Sequence, residues 1–344
     1  MEEETTENGG HSSSSGSSGS SGTAGGAGMG GGAGTGGSGG QAPPACDPYV
    51  PRPQVPELII GPSGLDAKLV AVMDAAQQEL ALSMYQLNWQ KCIDGLVAAH
   101  GRGVNVRVQL DYEQSTNSKA KSQLKAAGIE VRDAPAEFEH FHAKVLIADG
   151  VQAVVMSANM NSYSMKSERN YGVIDRDPQD LAQLRAIFER DWAGSGPLDL
   201  DCTRLIVSPE SSRERLIGFI AGAKKTLDME MMYISDGDAL GAIKGRQAAG
   251  VAVRVLLADP AWIDSNPETA AELASAGIAV KYLKSLELHA KLILADAVAF
   301  IGSQNLSWTS LEKNREVGLL VTEPGPAAEA ADRFEKDWKM GVSP

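Results

Sequence analysis

Long apolar runs are missing from this chain. Its most apolar stretches, such as Val145–Ala148 and Val251–Ala258, are too short or too interrupted to cross a bilayer. Three glutamates follow Met1 where a signal peptide would carry an apolar segment, so the chain reads as cytosolic or as the mature part of an exported protein. Cysteine is scarce. Cys46, Cys92 and Cys202 are far apart, which excludes a disulfide framework and the paired spacing of a zinc site. The odd count predicts three free thiols, while the linker positions of Cys46 and Cys202 would let them pair in an oxidising compartment. Positive charge is in deficit too, with 31 Lys and Arg against 44 Asp and Glu and a formal net charge of −13. Polyanions are usually captured by a basic face, so nucleic acid is disfavoured as a partner.

What is present is enough for one large or two small domains: 344 residues, 43% of them hydrophobic. Residues 1–56 stand apart as a Gly/Ser-rich and then Pro-rich tail. Such a composition buries too little apolar surface to offset chain entropy, so disorder is expected there. An acidic start followed by a Gly/Ser tether suits a mature lipoprotein. That favours an extracytoplasmic or cell-envelope setting over the cytoplasm.

The remainder is an internal duplication. Leu58-Ile59-Ile60-Gly61-Pro62 matches Leu205-Ile206-Val207-Ser208-Pro209, an offset of 147. Gly103 to Val108 matches Gly250 to Val255 at the same offset, and Phe188-Glu189-Arg190-Asp191-Trp192 matches Phe334-Glu335-Lys336-Asp337-Trp338 at 146. Two repeats follow, 57–198 and 199–344. Each alternates strands (80–85, 105–110; 227–233, 252–257) with helices (119–127; 267–276), which predicts an α/β fold with a central sheet in each copy. Two copies in one chain should pack about a pseudo-twofold axis, as a homodimer would, and the chain should act as a monomer.

One pattern occurs once per copy. His142-Ala143-Lys144 precedes Asp149, and His289-Ala290-Lys291 precedes Asp296. Each lies in an apolar run that reads as a strand, where i and i+2 share a face, so each histidine is expected beside its lysine. Downstream come Ser157 with Asn159, and Ser303 with Asn305. A pseudo-twofold would gather both sets into one pocket, with two imidazoles for nucleophile and acid and several donors for an anionic phosphoryl group. A lone histidine on a strand is ordinarily a satisfied core residue; repetition with Lys, Ser and Asn argues for catalysis. His140 and His142 lack a carboxylate or cysteine cluster of ligand spacing, so no metal is expected. Met231, Met232, Trp262 and Trp308 fit either a lipid-facing mouth or ordinary packing.

From residue 57 to Trp338 the chain resembles the phospholipase D superfamily, marked by a duplicated H-x-K-x-x-x-x-D followed by G-S-x-N. The resemblance implies a sheet-rich α/β fold, an active site between the two copies, no metal or other cofactor, and a covalent phosphohistidine intermediate. It makes His142 and His289 the catalytic pair and gives phosphate contacts to Lys144, Lys291, Asn159 and Asn305, supported by Ser157 and Ser303. Asp149 and Asp296 would be structural. Met156 stands where the pattern has its first Gly.

The acidic residue that orients each histidine differs between the copies. Glu316 lies 11 residues after Asn305, whereas the same step from Asn159 reaches Asn170, with Glu168 two residues earlier. Glu316 beside His289 would favour the imidazolium, making His289 the general acid. An amide beside His142 would leave it neutral, as the nucleophile. The implied activity is phospholipase D-type hydrolysis of a phospholipid headgroup phosphodiester. A cardiolipin synthase-like transfer to an alcohol is the near variant, and a metal-independent nuclease the more distant one.

Overall fold

The computed structural model of the chain describes residues 47–344. The first repeat runs β1 (Glu57–Ile60), α1 (Leu65–Ala75), β2 (Glu79–Met84), α2 (Gln90–Gly101), β3 (Asn105–Leu110), α3 (Ser118–Ala126), β4 (Glu130–Asp133), β5 (Lys144–Ala148), β6 (Gln152–Met156), α4 (Ser162–Lys166), β7 (Glu168–Arg169), β8 (Tyr171–Asp175) and α5 (Pro178–Ala193). The second runs β9 (Leu205–Ser208), α6 (Ser212–Gly222), β10 (Thr226–Met231), α7 (Gly237–Ala248), β11 (Ala252–Ala258), α8 (Asn266–Ser275), β12 (Ala279–Leu283), β13 (Glu287–Leu288), β14 (Lys291–Ala295), β15 (Val298–Gly302), α9 (Trp308–Glu312), β16 (Glu316–Val321) and α10 (Pro324–Met340).

Each repeat builds a seven-stranded mixed sheet of the same topology, β1-β8-β6-β5-β2-β3-β4 and β9-β16-β15-β14-β10-β11-β12. β2, β3 and β4 are mutually parallel, and α2 and α3 supply the crossovers that parallel neighbours require. The remaining strands meander antiparallel. Side-chain alternation sorts the core into layers. On β5, Val145 and Ile147 face a central cluster while Leu146 faces an outer one beneath α1–α3. The central cluster draws on both repeats, including Phe188 of α5 and Phe334 of α10, and a third cluster lies under α6–α8. Each fully buried Leu, Val or Phe there contributes roughly 1.5–3 kcal/mol. The tandem mixed-sheet α/β architecture expected from the duplication is the one observed.

The Met156 departure is absorbed by packing. Met156 pairs with Gly172 across the sheet and points into the outer core, where Val154 is its neighbour on the same strand face. In the second repeat the equivalent pair is Phe300 with Gly302. A Cβ on Gly302 would meet the Phe300 ring at 2.7 Å and Gly318 Cα at 2.6 Å. Val with Met fills in one copy the volume that Phe with Gly fills in the other.

Three expectations need amending. The tail does not stay apart from the repeats throughout its length: Tyr49 stacks on Phe219 at 6.3 Å, and Arg52 N donates to Glu323 Oε1 at 2.8 Å. Residues 1–46, Cys46 included, lie outside the described residues. The thiols are not all free, because Cys202 is disulfide-bonded; Cys92 is a buried free thiol. Finally, the motif histidines and asparagines do not sit on strands. His142 and His289 immediately precede β5 and β14, while Asn159 and Asn305 follow β6 and β15.

Candidate active site

Two backbone crossings stitch the motif loops to the opposite repeat. β13 pairs with β7, so that Leu288 lies opposite Arg169 and His289 N donates to Arg169 O at 3.1 Å. The counterpart crossing sets Phe141 opposite Arg315, whose N–H donates to His140 O at 2.9 Å. Each crossing brings the histidine of one repeat beside the residue that follows the arginine of the other.

Those neighbours are Glu316 and Asn170. Glu316 Oε2 is 2.8 Å from Nδ1 of His142, and both side chains are buried. A carboxylate there can only accept, so Nδ1 carries the hydrogen. Asn170 Oδ1 is 3.0 Å from Nδ1 of His289. The amide orientation follows from its surroundings: Asn170 Nδ2 donates to Glu168 Oε2 at 3.1 Å, and Ser157 Oγ donates to Asn170 Oδ1 at 2.7 Å. Nδ1 of His289 therefore also carries the hydrogen. Glu168 Oε2 lies 3.8 Å from His289 Nδ1, beyond hydrogen-bond range.

This reverses the expected partners. Glu316 serves His142, not His289, and Asn170 serves His289, not His142. Offsets along the chain show which residues are equivalent; they do not show that each equivalent crosses the seam to the other copy. The two copies also carry the same acid and amide in exchanged order, Glu168-Arg169-Asn170 against Asn314-Arg315-Glu316. In both, the amide donates to the acid, and a serine does likewise: Ser164 to Glu168 and Ser310 to Glu316, each at 2.6 Å. Burial alone would push the Glu316 carboxyl up, but the adjoining His142 and Lys144 outweigh it and hold the group below its usual range.

Both lysines are buried, and each donates back to the carbonyl of its own histidine, at 2.7 Å from Lys144 and 3.1 Å from Lys291. Asn159 and Asn305 are buried beyond the strand ends. Ser157 and Ser303 sit behind the histidines and hydrogen-bond across the sheet to Tyr171 and Val317. Asp149 and Asp296 act on the scaffold. Asp149 accepts from the backbone of Gln77, Gln78 and Glu79 at 2.7–2.8 Å, and Asp296 from Lys224, Lys225 and Thr226 at 2.7–3.0 Å. Although burial raises the Asp296 carboxyl, the three N–H groups hold it below its usual range.

One neighbour of the site, Tyr85, had no marker in the sequence, whereas Met232 and Trp262 were open there between a mouth and packing. The Tyr85 ring meets His142 edge-on at 4.7 Å, with Lys144 Nζ 5.0 Å from its centroid. The equivalent position is Met232, whose sulfur lies 3.8 Å from Lys291 Nζ. Trp262 lies 6.3 Å from the His289 ring, while Trp308 is exposed and Met231 is core. Among the described residues no three His, Cys, Asp or Glu gather as metal ligands, and no helix is long and apolar enough to cross a membrane.

The duplicated mixed-sheet fold and the repeated motif agree with a phospholipase D-like protein. The family described as "Cardiolipin synthase, PLD-like domain" matches residues 69–192 and 216–338, and the chain belongs to it. Phospholipase D Z of Dictyostelium discoideum is 30% identical over 156 residues, 38% of this chain and 36% of that protein. Cardiolipin synthase 1 of Bacillus cereus is 25% identical over 300 residues, covering 72% of this chain and 58% of that protein. The chain thus spans about a third to three-fifths of these relatives. Among solved structures, phosphatidylserine synthase from Haemophilus influenzae superposes with a TM-score of 0.65 at 12% identity, over 84% of this chain and 87% of that one. Polyphosphate kinase from Porphyromonas gingivalis superposes at 0.66 with 17% identity, over 83% and 47%. At such identities these two show a shared fold. Members of the superfamily are enzymes acting on phosphodiesters.

Proposed function

We propose that the chain cleaves a phospholipid headgroup phosphodiester, without a metal, through a phosphohistidine on His142. The observation carrying this reading is the reciprocal holding of each histidine at Nδ1 by a side chain of the opposite repeat, which fixes the tautomer and orientation of both rings. His142 Nε2 attacks phosphorus, the bond to the headgroup oxygen breaks, and Nε2–H of His289 gives its proton to that oxygen. Water or an alcohol then attacks phosphorus and passes its proton to His289 as the P–N bond breaks. Lys144, Lys291, Asn159 and Asn305 neutralise and orient the phosphoryl oxygens.

Charge flow assigns the roles. Attack makes the His142 ring cationic, and Glu316 stabilises that charge through Nδ1–H. Proton donation discharges the His289 ring, and a neutral amide resists this less than a carboxylate would. His142 therefore keeps the nucleophile's role on a warrant opposite to the one the sequence suggested.

Hydrolysis is the primary reading. Transfer to an alcohol is the second reading, supported by the family description and by the cardiolipin synthase match over 300 residues. The disulfide at Cys202 supports an oxidising, extracytoplasmic setting, and two half-sites in one chain support a monomer. The test is headgroup release from phosphatidylcholine and phosphatidylglycerol vesicles, with and without glycerol and with EDTA present, beside cleavage of single-stranded DNA. Headgroup release in EDTA, lost in His142→Ala and His289→Ala, is expected. DNA cleavage with inert vesicles, or activity that needs added metal, would overturn the reading.

A further inference from the structure

The Phe-Glu-Arg-Asp-Trp and Phe-Glu-Lys-Asp-Trp segments enter above only as markers of the duplication. In the structure each places one aspartate against an arginine of the other repeat. Asp337 of α10 accepts from Arg169 Nε at 2.8 Å, and Asp191 of α5 accepts from Arg315 Nη2 at 2.8 Å. All four side chains are buried. The same arginines also bind their own repeat, Arg169 through the Gly61 carbonyl and Arg315 through the Ser208 carbonyl at 2.8 Å. These carbonyls are equivalent positions ahead of Pro62 and Pro209. Further charges join the two clusters: Arg333 on Asp337 at 2.5 Å, Glu210 on Arg315 at 2.6 Å, and Arg190 on Asp191 at 3.3 Å and near Glu210 at 3.5 Å.

The location of the arginines gives these pairs a further role. Arg169 directly precedes Asn170, and its carbonyl accepts the His289 N–H; Arg315 directly precedes Glu316, and its N–H binds the His140 carbonyl. We propose that Asp337–Arg169 and Asp191–Arg315 are positioning pairs, the first setting Asn170 against His289 and the second setting Glu316 against His142. A planar guanidinium reaching a carboxylate and a carbonyl at once fixes its own backbone in both direction and depth, which a lysine could not do. The backbone it fixes is the one that carries the histidine's partner. Each histidine would then be tuned from the C-terminal helix of its own repeat: α10 for His289 and α5 for His142.

The assignment rests on the two-histidine reading only for its kinetic arm. The direct test is ring ¹⁵N chemical shifts in the full chain labelled at histidine, comparing wild type with Asp337→Asn and Asp191→Asn. Asp337→Asn should move the His289 ring and leave His142 in place, and Asp191→Asn should do the opposite. On diesters, Asp337→Asn should lower kcat roughly 10- to 100-fold for an alkoxide leaving group, with KM little changed, and far less for 4-nitrophenolate, which needs no protonation. Asp191→Asn should lower both alike. If an asparagine variant unfolds, Arg169→Lys and Arg315→Lys keep the charge, lose the fork and take its place. Shifts of both rings together, of neither ring, or a kcat loss that only follows the folded fraction would overturn the proposal. His142→Ala and His289→Ala run in parallel report on the catalytic reading separately, since the ring shifts judge the pairs whether or not those variants lose activity.

Discussion

Glu316, in the second repeat, holds Nδ1 of His142, in the first, at 2.8 Å, whereas the equivalent bond to His289 comes from the amide of Asn170. The site is therefore symmetric in position and asymmetric in charge, and exchanging the partners should not be neutral. Glu316→Gln keeps the acceptor but removes the charge that offsets a cationic ring. It should lower kcat about 10- to 100-fold for activated and unactivated diesters alike, a cost typical of lost orienting partners. Loss confined to unactivated diesters would mean that His142 is the acid.

Asn170→Asp sets a second carboxylate against Glu168, whose Oε2 now accepts from Asn170 Nδ2 at 3.1 Å. Two adjoining carboxylates ionise together only at a cost, so they would share a proton at low pH and repel once both are charged. Activity relative to wild type should fall as pH rises. A ratio independent of pH would show that Glu168 tolerates the second charge.

Behind the same segment, Glu230 is fully buried and accepts from Tyr171 Oη at 2.8 Å. Burial first and nearby Asp337 second push its carboxyl up to about 8, while Tyr171, Arg169 and Arg333 oppose the shift. The folded state then binds a proton that the unfolded state releases near the ordinary glutamate value, so stability should fall as pH rises from that value through about 8. Glu230→Gln keeps an acceptor for Tyr171 and removes the ionisation. Thermal melts should show the variant close to wild type near pH 5 and more stable near pH 9, by on the order of 4 kcal/mol at most. A variant that is less stable at both pH values would contradict this account.

Removing residues 1–55 deletes the Tyr49–Phe219 stack and the Arg52–Glu323 bond, and, as it leaves Cys92 and Cys202 alone, the Cys202 disulfide as well. Tm should drop by more than the roughly 1–2 kcal/mol of the two contacts would give, because a lost disulfide typically costs a further ~2–5 kcal/mol, with turnover of a soluble diester retained where the chain is folded. Lost turnover at a temperature where the truncated chain is folded would tie this segment to the site.

The duplication was legible because equivalent segments repeat at offsets of 146–147 residues, and the strands at 105–110 and 252–257 were legible from their apolar runs after glycine turns. The histidines, lysines and asparagines were legible for the same reason. Hidden from sequence was the direction of crossing. Asn170 and Glu316 are each an equal step from the local motif, and nothing in that spacing records that β7 pairs with β13. Tyr85 was hidden because a tyrosine at a strand end looks like core, while Met232 at the equivalent position was legible only as either mouth or packing. Asp191 and Asp337 were visible as repeats, but their arginine partners lie 124 and 168 positions away in the other copy.

The central claim, one nucleophile at the seam backed by a carboxylate from the other repeat, is tested most directly by trapping the intermediate. A phosphodiester labelled at phosphorus is mixed with enzyme, quenched within a single turnover, digested, and the labelled histidine located by mass spectrometry. Label on the peptide carrying His142, and its absence in His142→Ala, is the predicted result. Label on His289 in the wild-type enzyme would contradict it.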